Sequence, residues 1–99
     1  MSYKVELHLE AVHELQDAYL WYEERSEGLG LRFITYTNKC LSQIAENPES
    51  YPRKKGPYRE ALLEVFPYVI IYELFKKEKI VFVSYIFHSK RNPILKYKR

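Results

Sequence analysis

Two neighbouring segments of the 99-residue chain, 68–76 and 79–87, carry apolar residues on both faces of an extended strand. The second holds the longest apolar run in the sequence, Ile80-Val81-Phe82-Val83-Ser84-Tyr85-Ile86-Phe87. That run is far short of the roughly 20 residues that cross a membrane as a helix. Strands apolar on both sides are interior strands, with a helix layer over one face and something else over the other. Lys77-Glu78 reads as a two-residue turn joining them. Phe66-Pro67 separates them from an earlier strand, about Tyr58–Val65.

The first half of the chain supplies the helix layer. Tyr3, Val5, Leu7 and Leu9 alternate with Lys4, Glu6 and His8, the period of a half-buried strand. From about Glu10 the period changes. Val12, Leu15, Tyr19 and Tyr22, with Ala11 and Ala18 beside them, form the stripe of an amphipathic helix running to about Glu27. Gly28 is placed for a left-handed C-terminal cap, and Gly28-Leu29-Gly30 for a tight corner. A second helix, about Leu31–Glu46, has the stripe Phe33/Ile34, Thr37, Leu41 and Ile44. Asn47-Pro48 stops it, because proline disfavours helix in the residue before it. Residues 48–57, with three prolines and a glycine, read as a loop made basic by Arg53, Lys54 and Lys55. His88–Arg99 reads as a short helix or a tail, with Pro93 suited to the first turn of such a helix. The expected fold is α+β, one domain over residues 1–99. It has an N-terminal strand, a two-helix antiparallel hairpin and a three-stranded antiparallel meander, with the helices on one face of the sheet.

A 46% apolar and 16% aromatic content supports one real core and argues against disorder. The lone Cys40 makes no internal disulfide and reads as a small buried hydrophobe. No Cys/His ligand spacing, Gly-rich phosphate loop, carboxylate pair or serine triad is visible, so no metal or cofactor is expected. The N-terminus lacks a basic region followed by an apolar one, and the expected location is cytoplasmic, with no membrane partner. The net charge of +3 hides an asymmetry. Residues 1–50 hold four basic and nine acidic side chains, residues 51–99 twelve and four. Such a split suggests either a basic working surface for a polyanion or an acidic protein, or a solvated basic tail.

Several segments, taken in order, resemble the RelE/ParE toxin superfamily of type II toxin–antitoxin systems. They are Trp21-Tyr22-Glu23-Glu24 before Gly28-Leu29-Gly30, Arg32-Phe33, Asn47-Pro48 with the loop to Arg59, Phe66-Pro67-Tyr68-Val69-Ile70-Ile71-Tyr72, and the ending His88-Ser89-Lys90-Arg91-Asn92-Pro93. The resemblance implies a toxin encoded beside a cognate antitoxin that wraps it. It implies one of two targets: messenger RNA cut in the ribosome, as in the RelE branch, or DNA gyrase blocked without cutting, as in the ParE branch. The long helical hairpin and the ending lean towards ParE, while the basic loop before Arg59 also suits an RNA cutter. A decayed, non-catalytic toxin whose only activity is binding its antitoxin is the alternative.

If the chain cuts RNA, it is a metal-independent endoribonuclease. That chemistry needs a group to take the 2′-hydroxyl proton, a group to protonate the leaving oxygen, and cations for the phosphorane charge. His88 is the candidate acid or base, as the resemblance also implies; otherwise it hydrogen-bonds the strand end. Arg59 falls on the side of Ala61, Leu63 and Val65. It needs an anion there, either substrate phosphate, as the resemblance implies, or an internal carboxylate. Arg91 either clamps phosphate or bridges to an acid on the helical hairpin. Arg53, Lys54, Lys55 and Lys90 are candidate phosphate contacts, or solvated cations. Tyr58, Tyr85 and Tyr97 either stack on bases or pack, and Tyr97 is the one counted as nucleic-acid-binding. His8, His13, Glu14 and Asp17 read as surface or packing residues.

Overall fold

A computed structural model describes residues 2–91 and 95–97. Strand β1 (Lys4–Leu7) leads into helix α1 (Leu9–Arg25) and helix α2 (Leu29–Glu46). A single 3-10 turn, Pro48–Ser50, follows, then β2 (Arg53–Lys55), β3 (Tyr58–Leu62), β4 (Tyr68–Phe75) and β5 (Ile80–His88). The five strands form one sheet in the order β1-β5-β4-β3-β2. The meander β3-β4-β5 is antiparallel as expected, and β1 closes one edge by pairing parallel to β5, Leu7 opposite Val83.

The other edge departs from expectation. Residues 53–55 are not loop but strand, paired with β3. The strand is short, irregular in register and exposed throughout, so it leaves no burial pattern in the sequence. A charged, lysine-bearing strand is also what blunts a sheet edge against pairing with another chain. The β4–β5 turn is longer than Lys77-Glu78, because Phe75 pairs with Ile80 and Lys79 takes a positive φ of 56°. Strand β3 ends at Leu62, three residues early, and the chain turns through Val65 at φ 73°.

Between helices and sheet lies the main core. Phe33, Thr37, Cys40 and Ile44 of α2 and Ala11 and Ala18 of α1 meet Ile70, Tyr72, Val81, Val83 and Ile86. The face α1 presents is rotated from the expected stripe: Ala11 and Ala18 are fully buried, while Val12, Leu15 and Tyr19 are only partly so. Small side chains let this helix lie close to β5. Gly28 does take a left-handed conformation, φ 85°, but Gly30 belongs to α2 rather than to the corner. An irregularity between Ile71 and Tyr72 leaves Ser84 as an extra residue in β5. It keeps Val81, Val83 and Ile86 on the helix side and turns Tyr85 and Phe87 to the far side.

The far face has its own buried cluster, Val69, Ile71, Tyr85 and Phe87, packed against Tyr58 and Tyr97. The second cover demanded by the doubly apolar strands is therefore supplied in part by the C-terminal segment. Pro93 and the helix start expected there lie outside the described residues.

Candidate functional site

The candidate residues fall into three places on the sheet. The first is a groove of about 570 Å³ between α1 and the outer end of β5, lined by Ala18, Trp21, Tyr22, Tyr68, Ile86 and His88 among others. Strand β1 stops opposite Val83 while β5 runs on to His88, so the last residues of β5 overhang its neighbour. Glu14 fills part of the overhang, its carboxylate accepting the Ile86 backbone N–H at 2.9 Å. Arg91 approaches the other Glu14 oxygen at 3.9 Å, a bridge to an acid on the hairpin. His88 presents its ring edge-on to Tyr68, centroids 5.1 Å apart, and its Nδ1 accepts the Lys90 backbone N–H at 3.1 Å. That bond leaves Nε2 as the available proton carrier. Lys90 itself is exposed. Burial pushes the Tyr68 phenol above its ordinary pKa.

The second place is at the opposite end of the sheet. Arg59 lies under the 3-10 turn, where its Nη1 donates to the carbonyls of Tyr51 at 2.6 Å and Glu49 at 3.4 Å. Its Nε is buried with no hydrogen-bond partner among the described residues. Tyr72, directly across from Arg59 on β4, donates its hydroxyl to the Pro48 carbonyl at 2.6 Å. Both side chains thus hold the segment between α2 and β2 onto the sheet, and burial holds the Tyr72 phenol well above its ordinary range. Beside Arg59 opens a notch of about 590 Å³ whose cations are Arg53, Arg59, Lys76 and Lys77. Glu49, ion-paired to Lys76 at 2.8 Å, sits in it with its carboxyl held below the usual range by that lysine and, more weakly, by Arg59.

The third place is the far face. Tyr97 packs on Tyr58, centroids 5.2 Å apart, and its hydroxyl hydrogen-bonds Glu60. Lys96 reaches the same carboxylate at 3.5 Å, and the Lys55 ammonium lies 5.6 Å from the Tyr97 ring centroid. Desolvation and the neighbouring Glu60 raise the Tyr97 pKa. Lys54, the middle residue of β2, is exposed. Among the described residues no group of His, Cys, Asp and Glu side chains is placed to hold a metal ion, and no helix is long and apolar enough to cross a membrane.

A family model, the ParE toxin of the type II toxin–antitoxin system parDE, matches residues 5–93. The chain belongs to this family. No curated protein matches it. Among solved structures, the chromosomal ParDE system of P. aeruginosa is similar at a TM-score of 0.73 and 14% identity, covering 88% of this chain and 96% of that one. The isolated E. coli RelE toxin aligns at 0.65 and 17% identity, over 94% of this chain and 90% of that one. The archaeal RelE–RelB complex of Pyrococcus horikoshii aligns at 0.53 and 18%, over 93% and 100%. These likenesses are of fold.

Within this ParE-type fold His88 and Arg91 come together and Arg59 stands apart. Tyr68 opposes His88 and Tyr72 opposes Arg59 along the same strand. Four residues of rise and two strand spacings put the Cα atoms of His88 and Arg59 about 16 Å apart. One residue of these sites departs from its sequence reading. Glu14 is not on the wet face: its side chain is 14% exposed and serves β5. His8, read as a surface or packing residue, also serves as the N-cap of α1, its Nδ1 accepting the Glu10 N–H at 3.0 Å. The signal for Glu14 is its place between Ala11 and Ala18, the two residues α1 buries completely.

Proposed function

We propose that this ParE-family toxin inhibits growth by binding its target, DNA gyrase in the ParE manner, and not by cutting RNA. The observation that carries the reading is the separation of the candidate catalytic groups. RNA transesterification needs proton carriers and phosphate-clamping cations around one phosphorus atom, within about 3 Å of the groups they serve. The backbone positions of His88 and Arg59 are about 16 Å apart, and the Arg59 guanidinium is turned to the carbonyls of Tyr51 and Glu49 while the His88 ring lies against Tyr68. The match to the ParE model over residues 5–93 supports the same branch.

A cognate antitoxin is the second part of the proposal. The groove at Ala18, Trp21, Tyr22, Tyr68 and Ile86 offers an apolar slot for a side chain of a wrapping segment. Arg91 in its lining favours an acidic one.

Induced expression with separate readouts of message integrity and of DNA supercoiling tests the target. Relaxed or broken DNA with intact messages is the expected result, and His88→Ala should leave it in place. Rapid cutting of messages on ribosomes, abolished by His88→Ala with antitoxin binding intact, would reverse the assignment.

A further inference from the structure

We propose that the open edge of β1 pairs antiparallel with the same edge of a second copy of this chain, the two Val5 residues facing each other across a two-fold axis. The pairing uses residues 3–7 and not the overhang of β5, so it does not depend on what fills the groove or on which target the toxin blocks.

The edge is open. Strand β1 is an outer strand whose neighbour in the sheet is β5. The Lys4 N–H donates to the Lys79 carbonyl at 3.0 Å and the His8 N–H to the Val83 carbonyl at 2.8 Å. Backbone groups of successive strand residues point to alternate sides, so Val5 and Leu7 aim theirs away from the sheet. No strand among the described residues meets them there. The side chains of Tyr3, Val5 and Leu7 pack on the rim of the main core and stay only partly buried. Leu9, where the strand gives way to α1, is 67% exposed. A row of unpaired donors and acceptors beside half-covered apolar side chains is a template for another strand.

Charge selects the occupant. The opposite edge, β2, presents Arg53, Lys54 and Lys55, all exposed and of one sign, so two such edges repel. Strand β1 carries one charge of each sign. Lys4 and Glu6 share one face, their charged groups 3.4 Å apart. Only residues with outward backbone groups can exchange hydrogen bonds, so odd residues must face odd ones. With Val5 opposite Val5, each Lys4 stands across from the Glu6 of the other copy. Sliding two residues one way sets Lys4 against Lys4, and sliding two the other way sets Glu6 against Glu6. Opposite charges directly across a pair of strands stabilise it and like charges destabilise it, so one register is favoured. In that register Tyr3 of each copy meets Leu7 of the other on the core face. The two Val5 residues exchange a reciprocal pair of hydrogen bonds, and each Leu7 N–H reaches the Tyr3 carbonyl of the other copy. The Tyr3 N–H is left out, being held by the Ala45 carbonyl at 2.9 Å. The same patch serves both copies, as a closed two-fold interface requires, and the two sheets become one with the helices on a single face. So short a strand buries less than a standard interface, and the dimer forms only at raised concentration.

Sedimentation velocity of the untagged full chain, from low micromolar to near-millimolar concentration, tests the pairing. A reversible monomer–dimer equilibrium is expected. Lys4→Glu and Glu6→Lys each set like charges across from each other at both ends of the pairing, and each should weaken self-association about tenfold or more. Mixed in equal amounts, the two variants restore opposite charges, and the mixture should dimerise about as tightly as the parent. Lys54→Glu on the far edge is the control and should change little. In hydrogen exchange, the Val5 and Leu7 amides should gain protection as concentration rises, while those of β2 should not. Thermal melting of each variant separates loss of pairing from loss of fold. Any of four results overturns the proposal: a monomer at every concentration, a dimer that both charge reversals leave intact, a mixture no more associated than either variant alone, or protection gained at β2 instead of β1.

Discussion

At Gly30 the two helices touch. A Cβ there would lie 2.7 Å from the Tyr19 carbonyl oxygen and 2.9 Å from both the Tyr19 ring and Glu23 Oε1. Alanine improves helix propensity by at most about 1 kcal/mol. A contact that short with backbone cannot be relieved by rotating a side chain, and overpacking of this kind costs up to about 3 kcal/mol. Gly30→Ala should therefore lose about 2 kcal/mol net, a drop in Tm of roughly 10 °C for a domain of this size. Gly28 is the contrast. Its φ of 85° requires the left-handed region, but nothing lies within 4 Å of a Cβ. Gly28→Asn should stay within about 0.5 kcal/mol of the parent, because asparagine visits that region readily. Equal Tm losses in the two variants would mean that backbone conformation, not the helix contact, dominates. The same contact explains Glu23, whose carboxylate oxygens accept the N–H groups of Gly28 at 2.9 Å and Gly30 at 3.0 Å. It supplies to the first turn of α2 the anionic cap that a glycine at the N-cap position cannot. Glu23 and both glycines fall in one segment of the family resemblance, and close helix approach with a capped N-terminus is the physical reason they belong together.

At the scale of elements, the paired strands are legible in the sequence where they are buried and illegible where they are exposed. Strands β4 and β5 announce themselves by apolar content, and α2 by Phe33, Thr37 and Ile44 at helical spacing. Strand β2, fully exposed, has no such signature, and the parallel docking of β1 onto β5 links residues too far apart in the chain for any local pattern. The far-face cover is demanded by the sequence but not located in it. Tyr97 and Lys96 sit in a basic ending whose charge suggests solvent, yet they close over Val69, Ile71, Tyr85 and Phe87. Their hold on Glu60 should respond to alkali. The Tyr97 pKa is raised in the fold, first by desolvation and then by Glu60. A raised phenol favours the protonated form, so its contribution is fully present below the unfolded pKa of about 10 and is lost as pH rises through the folded value. Ultraviolet titration should show a late tyrosinate, and stability should fall as it appears. Tyr72, raised in the same direction, contributes to the same decline. Tyr97→Phe removes one share of this decline, and its stability profile should be flatter above pH ~10 than the parent's. Identical profiles would mean that the segment carries no part of the alkaline transition.

Across the whole molecule, the surplus cations of the second half do not pool on one surface. Lys90 and Arg91 lie at one end of the sheet, Arg53, Arg59, Lys76 and Lys77 at the other, and Lys55 and Lys96 over the far face. The charge asymmetry is plain in the sequence, but its division is not, because it follows from a sheet whose strand ends and edges face different ways. The division has an energetic consequence for His88 and Arg59. Removing Arg59 abandons the Glu49 and Tyr51 carbonyls, at about 1–3 kcal/mol, while removing the His88 ring gives up its edge contact with Tyr68, at about 0.5–1.5 kcal/mol. The two share no partner among the described residues. Sites more than about 7–10 Å apart with no shared partner add to within roughly 0.5 kcal/mol. In urea unfolding, His88→Ala and Arg59→Ala should therefore sum in the double variant. A coupling above about 1 kcal/mol would place both in one network, and with it restore the single catalytic centre that their separation argues against.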